Sequence, residues 1–262
     1  MFAQKPTVRL FTAIAASSLI AASQSGAATL TNISSAGVPT GSVDMSALGT
    51  TNWAVWNVRT NSTTTSINAT ATKNGGLGII SAITPTGVSN VRGTSSIDGN
   101  YPPNTFTWTT LDATGSVAPP SDGIVAGVFQ SPLNNVGTGV RFSIQNLAPL
   151  AAGQYYLITV LATGYQAVNT LTATVGGDSV SQDSSSFGNS KTTDSFQFHY
   201  EPTSSSDQID FTYTIKTDTN TDQALSQAVI QGVTISIVPE PSSALMALAG
   251  GLAFLGYRRR KG

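Results

Sequence analysis

Two stretches in the last third of the chain alternate apolar and small polar residues with a period of two. They read Phe211-Thr-Tyr213-Thr-Ile215 and Val233-Thr-Ile235-Ser-Ile237. Successive side chains of a β-strand point to opposite faces of its sheet. This alternation therefore predicts strands with one buried face and one solvent-exposed face.

Short apolar or alternating runs recur through the second half of the chain, and turn residues separate them. The predicted strands are Gly123 to Phe129, Gly139 to Gln145, Gln154 to Ala162, Thr170 to Val175, Asp194 to Tyr200, Gln208 to Ile215 and Ala228 to Val238. The turns between them are marked by Pro119-Pro120, Pro149, Gly176-Gly177 and Pro202. No segment between the two ends of the chain has a convincing 3.6-residue period. The pattern therefore predicts an all-β fold, a single β-sandwich or jelly roll.

The first half of the chain has weaker signals. Strands are predicted at Trp53 to Val58 and at Leu77 to Ile83. Loops are predicted at Val91 to Pro103, which ends in two prolines, and at the Ser-rich stretches Val180 to Thr193 and Thr203 to Asp207.

The N-terminal 28 residues have the three parts of a secretory signal peptide. A basic stretch with Lys5 and Arg9 precedes an apolar run from Leu10 to Ala22, and small residues follow. The apolar run, about 13 residues, is too short for a helix to span a hydrocarbon core of roughly 30 Å. We expect cleavage after Ala28, with Ala27 as a nearly equivalent site.

The other end of the chain also has three parts in order. Pro239-Glu240-Pro241 comes first, an apolar segment from Ser242 to Tyr257 follows, and the basic cluster Arg258-Arg259-Arg260-Lys261 comes last. Prolines end the preceding strand, the apolar segment can enter a bilayer, and a basic cluster stays on the cytoplasmic side.

This order of features resembles a bacterial PEP-CTERM sorting signal. The resemblance implies a protein of a Gram-negative bacterium that is exported and held transiently in the inner membrane. It also implies processing at the tail by a membrane transpeptidase of the exosortase type, and a final place at the cell surface or in the extracellular matrix. The resemblance indicates a destination and no chemistry.

The apolar segment of the tail is slightly short for a permanent transmembrane helix, since as a helix it spans about 24 Å. We expect a short apolar helix that does not pack into the core of the β-domain. The alternative is an amphipathic helix packed on the domain. Against it, the segment from Ser242 to Tyr257 has no charge and no polar face.

Removing both signals leaves one predicted β-domain at residues 29–238, between a signal peptide at 1–28 and a sorting tail at 239–262. This domain has six basic and twelve acidic side chains, a net charge of about −6. A net negative domain with scattered Lys and Arg argues against nucleic acid as a partner. The chain has no cysteine, which excludes cysteine nucleophiles and thiolate metal sites.

Residues suited to catalysis are scarce. His199 is the only histidine, and strand alternation predicts that it faces solvent. A serine triad would need this histidine in a cleft beside a Ser, and no Gly-x-Ser-x-Gly elbow is present. A zinc site would need more His or Cys than the chain has. A glycosidase needs two paired carboxylates. Glu201, Asp207 and Asp210 are the candidates, and turn and strand-edge positions predict that they are simply solvated. We therefore expect no enzyme.

One short segment has oxygen ligands with the spacing that begins a calcium loop. Asp218, Asn220 and Asp222 stand at positions 1, 3 and 5 of that pattern. Gln223 and Val229 stand at positions 6 and 12, where Gly and Glu are needed, so an EF-hand is excluded. An irregular calcium site and a polar hairpin loop both remain open, and no other cofactor is expected.

Aromatic residues are the candidates for sugar binding, because a flat ring can stack on a pyranose. The candidate platform comprises Trp53, Trp56, Tyr101 and Trp108. Trp53 and Trp56 are three residues apart and should lie on opposite faces of one strand, so we expect at least one of them in the core.

A second resemblance concerns the β-domain itself. Short segments follow one another along this domain: Trp108-Thr-Thr110, Gly123-Ile-Val-Ala-Gly127, Gly139-Val-Arg-Phe-Ser-Ile144, Tyr156-Leu-Ile-Thr-Val160, Asn169 to Val175, Phe211-Thr-Tyr213 and Val233-Thr-Ile235. Their succession is similar to a galactose-binding-like jelly roll. The resemblance implies a candidate surface for extracellular polysaccharide. The sequence thus predicts an exported, non-catalytic envelope or matrix protein. The alternatives are a carbohydrate-binding module and, with less support, a glycan-active enzyme.

Overall fold

The computed structural model describes residues 28–38, 42–58, 62–73, 78–93, 105–108, 113–114, 127–131, 136–185, 193–219 and 226–239. Within these ranges the chain is almost entirely β-structure, with one short helix. The strands are β1 (Thr29–Gly37), β2 (Ser42–Asp44), β3 (Asn52–Val55), β4 (Ala71–Lys73), β5 (Thr84–Thr86), β6 (Asn90–Gly93), β7 (Thr105–Thr107), β8 (Ala113–Thr114), β9 (Val128–Ser131), β10 (Gly139–Ile144), β11 (Gln154–Tyr165), β12 (Ala167–Val175), β13 (Asp178–Asp183), β14 (Thr193–Glu201), β15 (Ile209–Asp218) and β16 (Gln227–Pro239). The helix, α1, is Met45–Leu48.

Two antiparallel sheets form the layers of a sandwich. The large sheet has the order β1-β14-β11-β16-β3-β4-β8, and β9 joins it beside β16 and carries β6. The small sheet has the order β13-β12-β15-β10-β5. A separate parallel pair, β2 and β7, lies outside these two layers. This architecture confirms the predicted all-β fold with a single β-sandwich.

The main core lies between the two sheets, as the alternating sequence pattern predicts. Phe211, Tyr213 and Ile215 of β15 are buried, whereas the intervening threonines face the outside of the small sheet. Phe142 stacks on Phe211 with ring centroids 5.0 Å apart, and aromatic rings of the large sheet contact the same cluster. Burial of these rings supplies the main stabilising free energy of the sandwich.

A smaller apolar cluster covers part of the outer face of the large sheet. The short helix α1 begins at Asp44, whose carboxylate accepts hydrogen bonds from the backbone N–H groups of Ser46 and Ala47. Met45 packs from this helix against Trp53. Because this cover shields the outer face, the sandwich has buried residues on both sides of its central strands.

A tight corner between β11 and β12 is one of the connections between the two sheets. The strand β11 of the large sheet continues almost directly into β12 of the small sheet, and Gln166 between them has a φ of 47°. A left-handed residue reverses the chain direction sharply. The corner therefore holds the two layers together at the end of the sandwich opposite to Pro239.

Several boundaries differ from the predicted ones. The strand β13 (Asp178–Asp183) includes the start of the loop predicted at Val180 to Thr193. The strand β6 (Asn90–Gly93) includes the start of the loop predicted at Val91 to Pro103. The predicted strand at Leu77 to Ile83 is wrong over its described part. There the chain forms only isolated bridges, Ile80 with Ile144 and Ile83 with Ile67.

No helix among the described residues is long and apolar enough to cross a membrane. The signal peptide up to residue 27 and the apolar tail segment 242–257 lie outside the described residues. The predicted helix in the tail and the boundaries of the three predicted regions therefore stay predictions.

Candidate functional site

The sorting tail leaves the sandwich from one of its central strands. The strand β16 pairs with β11 along its whole length, from Tyr165 opposite Gln227 to Gln154 opposite Pro239. Pro239 is the last residue of β16, one position beyond the predicted end at Val238. Glu240, Pro241 and the basic residues Arg258, Arg259, Arg260 and Lys261 lie outside the described residues. The sheet therefore ends within the Pro-Glu-Pro sequence, with no linker between strand and motif.

The predicted signal-cleavage site lies at this same end of the large sheet. Leu30 of β1 pairs with Tyr200, Tyr200 pairs with Tyr156, and Tyr156 pairs with Ile237. These four residues form one row across four neighbouring strands. With roughly 4.8 Å between strands, the row places the start of β1 about 14 Å from the end of β16. We call this end of the sandwich, with Ala28 and Pro239, the tether end.

Ala28 lies in a hollow at the tether end. The hollow has a volume of about 420 Å³, and Ala28, Gly176, Thr203 and Asp207 line it. Asp207 accepts hydrogen bonds from the backbone N–H of Ser204 and from the N–H and hydroxyl of Thr203. These donors hold the pKa of the Asp207 carboxyl below its usual value, the Ser204 N–H having the largest effect. The carboxylate fixes the turn after β14.

His199 is on the outer face of the large sheet, where alternation predicts it. Its ring stacks on Tyr155 of the neighbouring strand, with centroids 4.0 Å apart and planes 7° apart. Its Nε2 lies 2.5 Å from Oε1 of Glu201, two residues along the same strand. The sequence does not reveal this contact with Tyr155, because it depends on the register between β11 and β14.

The three carboxylates considered for catalysis have different local surroundings. Glu201 is on the outer face of the large sheet, beside His199. Asp210 is on the outer face of the small sheet and accepts a hydrogen bond from Gln208 Nε2 at 2.6 Å. Asp207 accepts a hydrogen bond from the backbone N–H of Thr203, within its own turn. Because the core separates the two outer faces, Glu201 and Asp210 cannot flank one glycosidic bond.

Only the first residue of the candidate calcium segment is described. Asp218 Oδ1 accepts a hydrogen bond of 2.6 Å from the Ser226 hydroxyl, which ties the two ends of the loop together. Asn220 and Asp222 lie outside the described residues. Among the residues that the structure describes, no group of three or more His, Cys, Asp or Glu side chains could hold a metal ion.

The proposed aromatic platform requires a correction. Trp53 and Trp56 are fully buried, and Trp108 is 7% exposed. Trp53 and Trp108 pack against each other in the outer cluster, 5.7 Å between centroids, whereas Trp56 packs on Phe142 in the main core. The two faces of the strand are occupied as predicted, but both are covered, so none of these rings can stack on a sugar. Tyr101 lies outside the described residues.

The outer face of the small sheet has a polar surface that the sequence did not indicate as a site. Register places Ser181, Thr172, Thr212, Arg141 and Thr84 in one row across all five strands. The adjacent row includes Thr174, Asp210 and Ser143. The period-two threonines of β12 and β15 were the signal available in the sequence. Only the register brings them together with Arg141.

An open groove of about 610 Å³ lies along these rows. Arg141 Nε donates a hydrogen bond of 3.3 Å to Thr84 Oγ1, which orients the guanidinium group along the groove. Among the described residues no carboxylate lies within ion-pair distance of Arg141, whereas Lys216 is paired with Asp183 at 2.5 Å. The groove, which we call the polar groove, therefore offers a cation, the Asp210 carboxylate and several hydroxyl groups to a polar ligand.

Comparison with solved structures gives a distant likeness. The enzymatically active domain of tailspike protein 4 from bacteriophage CBA120 matches 61% of this chain at 15% identity with a TM-score of 0.33. This chain spans only 19% of the tailspike chain. A TM-score this low does not establish a common fold, so no property of the tailspike protein is transferred. No curated protein matches the chain significantly.

The tail gives a specific match. Residues 238–261 match the family model of the PEP-CTERM protein-sorting motif. The match begins at Val238, at the end of β16, and extends to Lys261 in the basic cluster. These boundaries agree with the Pro-Glu-Pro, apolar and basic parts that the sequence predicts. The chain therefore carries a PEP-CTERM protein-sorting motif, which implies an exported protein that is processed at the membrane by an exosortase.

Proposed function

We propose that this protein is a non-catalytic component of the cell envelope or extracellular matrix of a Gram-negative bacterium, presented there through its sorting tail. One observation supports this proposal most directly. The sandwich is complete at Pro239, where the sorting motif begins, so removal of the tail leaves the hydrogen bonds of β16 intact. Glu201 and Asp210 lie on opposite outer faces and Asp207 accepts hydrogen bonds within its own turn, which favours a structural or binding role.

Fractionation of the host tests this function. The full chain is expressed in its host and in a strain without the transpeptidase, and the mass of the protein in each fraction is measured. In the complete host the exported protein should lack Arg258 to Lys261, and in the deficient strain it should retain them in the membrane fraction. Glu240→Gln should impair processing, whereas the matched Asp210→Asn should not. Retention of the basic cluster in both strains contradicts the proposal.

A carbohydrate-binding role is the second candidate, and the polar groove is the observation that favours it. Neutral sugars present vicinal hydroxyl groups, which both donate and accept hydrogen bonds. Arg141, Asp210 and the row of threonine hydroxyls supply complementary donors and acceptors along an extended face. This arrangement suits a segment of an extracellular polysaccharide chain better than a single small molecule.

A glycan array separates the two candidates. The exported protein is probed with and without calcium, together with Arg141→Ala and a matched variant, Lys73→Ala. Lys73 donates to the carbonyl of Thr50 on the large sheet, away from the polar groove. Binding to a host polysaccharide that Arg141→Ala loses and Lys73→Ala retains favours the carbohydrate-binding role. Absence of binding leaves the structural role ahead.

A further inference from the structure

We infer that the tail is processed on the closed sandwich and that the sheet edge beside Pro239 is part of the surface that the transpeptidase contacts. This inference rests on the proposed sorting function and adds a docking surface to it. The surface comprises Gln154 and Tyr155, which lie opposite Pro239 and Val238, and Thr50 on the other side of β16.

The strand β16 has a central position in the large sheet. This strand is hydrogen-bonded to β11 on one side and to β9 and β3 on the other. Its residues from Gln227 to Ile235 are all buried. Withdrawing β16 would separate the large sheet into two parts and expose the main core. The strand must therefore be in place whenever the domain is folded, and Val238 and Pro239 are fixed with it.

The N-terminal junction differs in this respect. β1 is an edge strand that pairs with β14 on one side only, and most of its residues are exposed. An edge strand can dock last without disrupting the rest of a sheet. Cleavage after Ala28 is therefore compatible with an undocked β1, whereas the tail junction is always next to a finished sheet.

The start of the Pro-Glu-Pro motif lies close to residues on both sides of β16. Gln154 is the direct cross-strand partner of Pro239. Side chains in such pairs have Cβ atoms about 4.5–5.5 Å apart. On the other side, Thr50 donates its backbone N–H and its hydroxyl to Ser236 Oγ, each at 3.1 Å. An enzyme that binds Pro239-Glu240-Pro241 must therefore also contact the side chain at position 154.

The experiment measures tail removal by mass in the complete host, using the full chain. Gln154→Trp enlarges the side chain beside Pro239, and aromatic residues are compatible with strands. Thr217→Trp is the matched control, because Thr217 is exposed on a strand at the opposite end of the sandwich. Each variant is also made with a Gly-Ser spacer of about six residues between Val238 and Pro239, which extends up to roughly 20 Å. Gln154→Arg serves as a second variant if Gln154→Trp fails to fold.

We expect Gln154→Trp to slow tail removal about tenfold, since one poorly accommodated side chain at a contact has an effect of that order. The spacer should abolish this sensitivity, and Thr217→Trp should have no effect with or without it. Equal rates for all variants, or the same slowing by Gln154→Trp with the spacer present, would overturn the inference. If the unsubstituted chain keeps its tail in the complete host, the sorting function itself fails, and that outcome is recognised without any comparison of variants.

Discussion

Among the glycines that the structure describes, Gly139 at the start of β10 is the one where an added methyl group would make the closest contact. A Cβ atom at this position would overlap the carbonyl oxygen of Tyr213 and lie 2.8 Å from the Cα atom of Thr214. Both atoms belong to the backbone of β15, so no side-chain rotation relieves the overlap. The strands β10 and β15 would have to separate at the pair Gly139 and Thr214, at the end of the ladder.

The cost of Gly139→Ala combines overpacking with the loss of a ladder hydrogen bond, about 2–4 kcal/mol of the free energy of unfolding. For a domain of this size, that corresponds to a fall in Tm of about 4–16 °C. Thermal unfolding can be followed by tryptophan fluorescence, because Trp53, Trp56 and Trp108 are all buried.

The matched control is Gly78→Ala. No atom lies within 4 Å of a Cβ built at Gly78, and alanine reduces the entropy of the unfolded chain. We expect this variant to be neutral or more stable by about 0.4–1 kcal/mol. If Gly139→Ala unfolds within about 1 °C of the unsubstituted protein, the steric reasoning on the contact between β10 and β15 is wrong.

Two further predictions concern ionisable groups. Tyr200 has a buried hydroxyl without a hydrogen-bond partner among the described residues, and burial raises its pKa to about 12. Tyr200→Phe should therefore raise the free energy of unfolding by about 1 kcal/mol. It should also reduce the loss of stability that occurs as the pH rises from 10 towards 12. Urea unfolding at about pH 8 and about pH 11 measures both effects. The pKa of Asp207 lies below its model-peptide value of 3.8, so its contribution is present above that pH and disappears as the pH falls through the folded-state pKa. Asp207→Asn should lower Tm at neutral pH and leave it unchanged near pH 2, and an equal difference at both pH values would contradict the role given to the Thr203 turn.

The fold class follows from the sequence because the core strands carry their own signal. The alternation from Phe211 to Ile215 identifies a strand with one buried face, whatever its neighbours are. β13 has no such signal, because Val180 is the one apolar residue in its sequence from Asp178 to Asp183. It is a strand because β12 pairs with it, and the Thr172 and Ser181 hydroxyls are hydrogen-bonded at 2.8 Å. A strand that forms only because a neighbouring strand pairs with it has no local sequence pattern from which it could be predicted.

The candidate sites also differ in whether their residues are contiguous in the chain or are brought together by strand pairing. The sorting motif could be predicted from residues alone, because its three parts are contiguous in the chain. The polar groove could not, since Arg141, Thr212 and Thr84 meet only through the register of three strands. The tryptophans failed as a platform because Trp53 is buried in the outer cluster, where it packs on Trp108, a residue distant from it in sequence. Ring type indicates what a side chain can bind, whereas the packing around it determines whether a ligand can reach it.

The long pairing of β16 also determines how the domain would bear a mechanical load. A force applied at the C-terminal end of the domain would pull at Pro239, along the axis of β16. The ladder with β11 extends from Gln154 to Tyr165 with one register shift between Leu161 and Ala162, and β3 and β9 pair with the opposite edge of β16. A force along the strand loads all these hydrogen bonds together in shear, instead of opening them one after another. The attachment point is thus the strand best able to transmit tension into the whole sheet, a property suited to a protein that is anchored at one end.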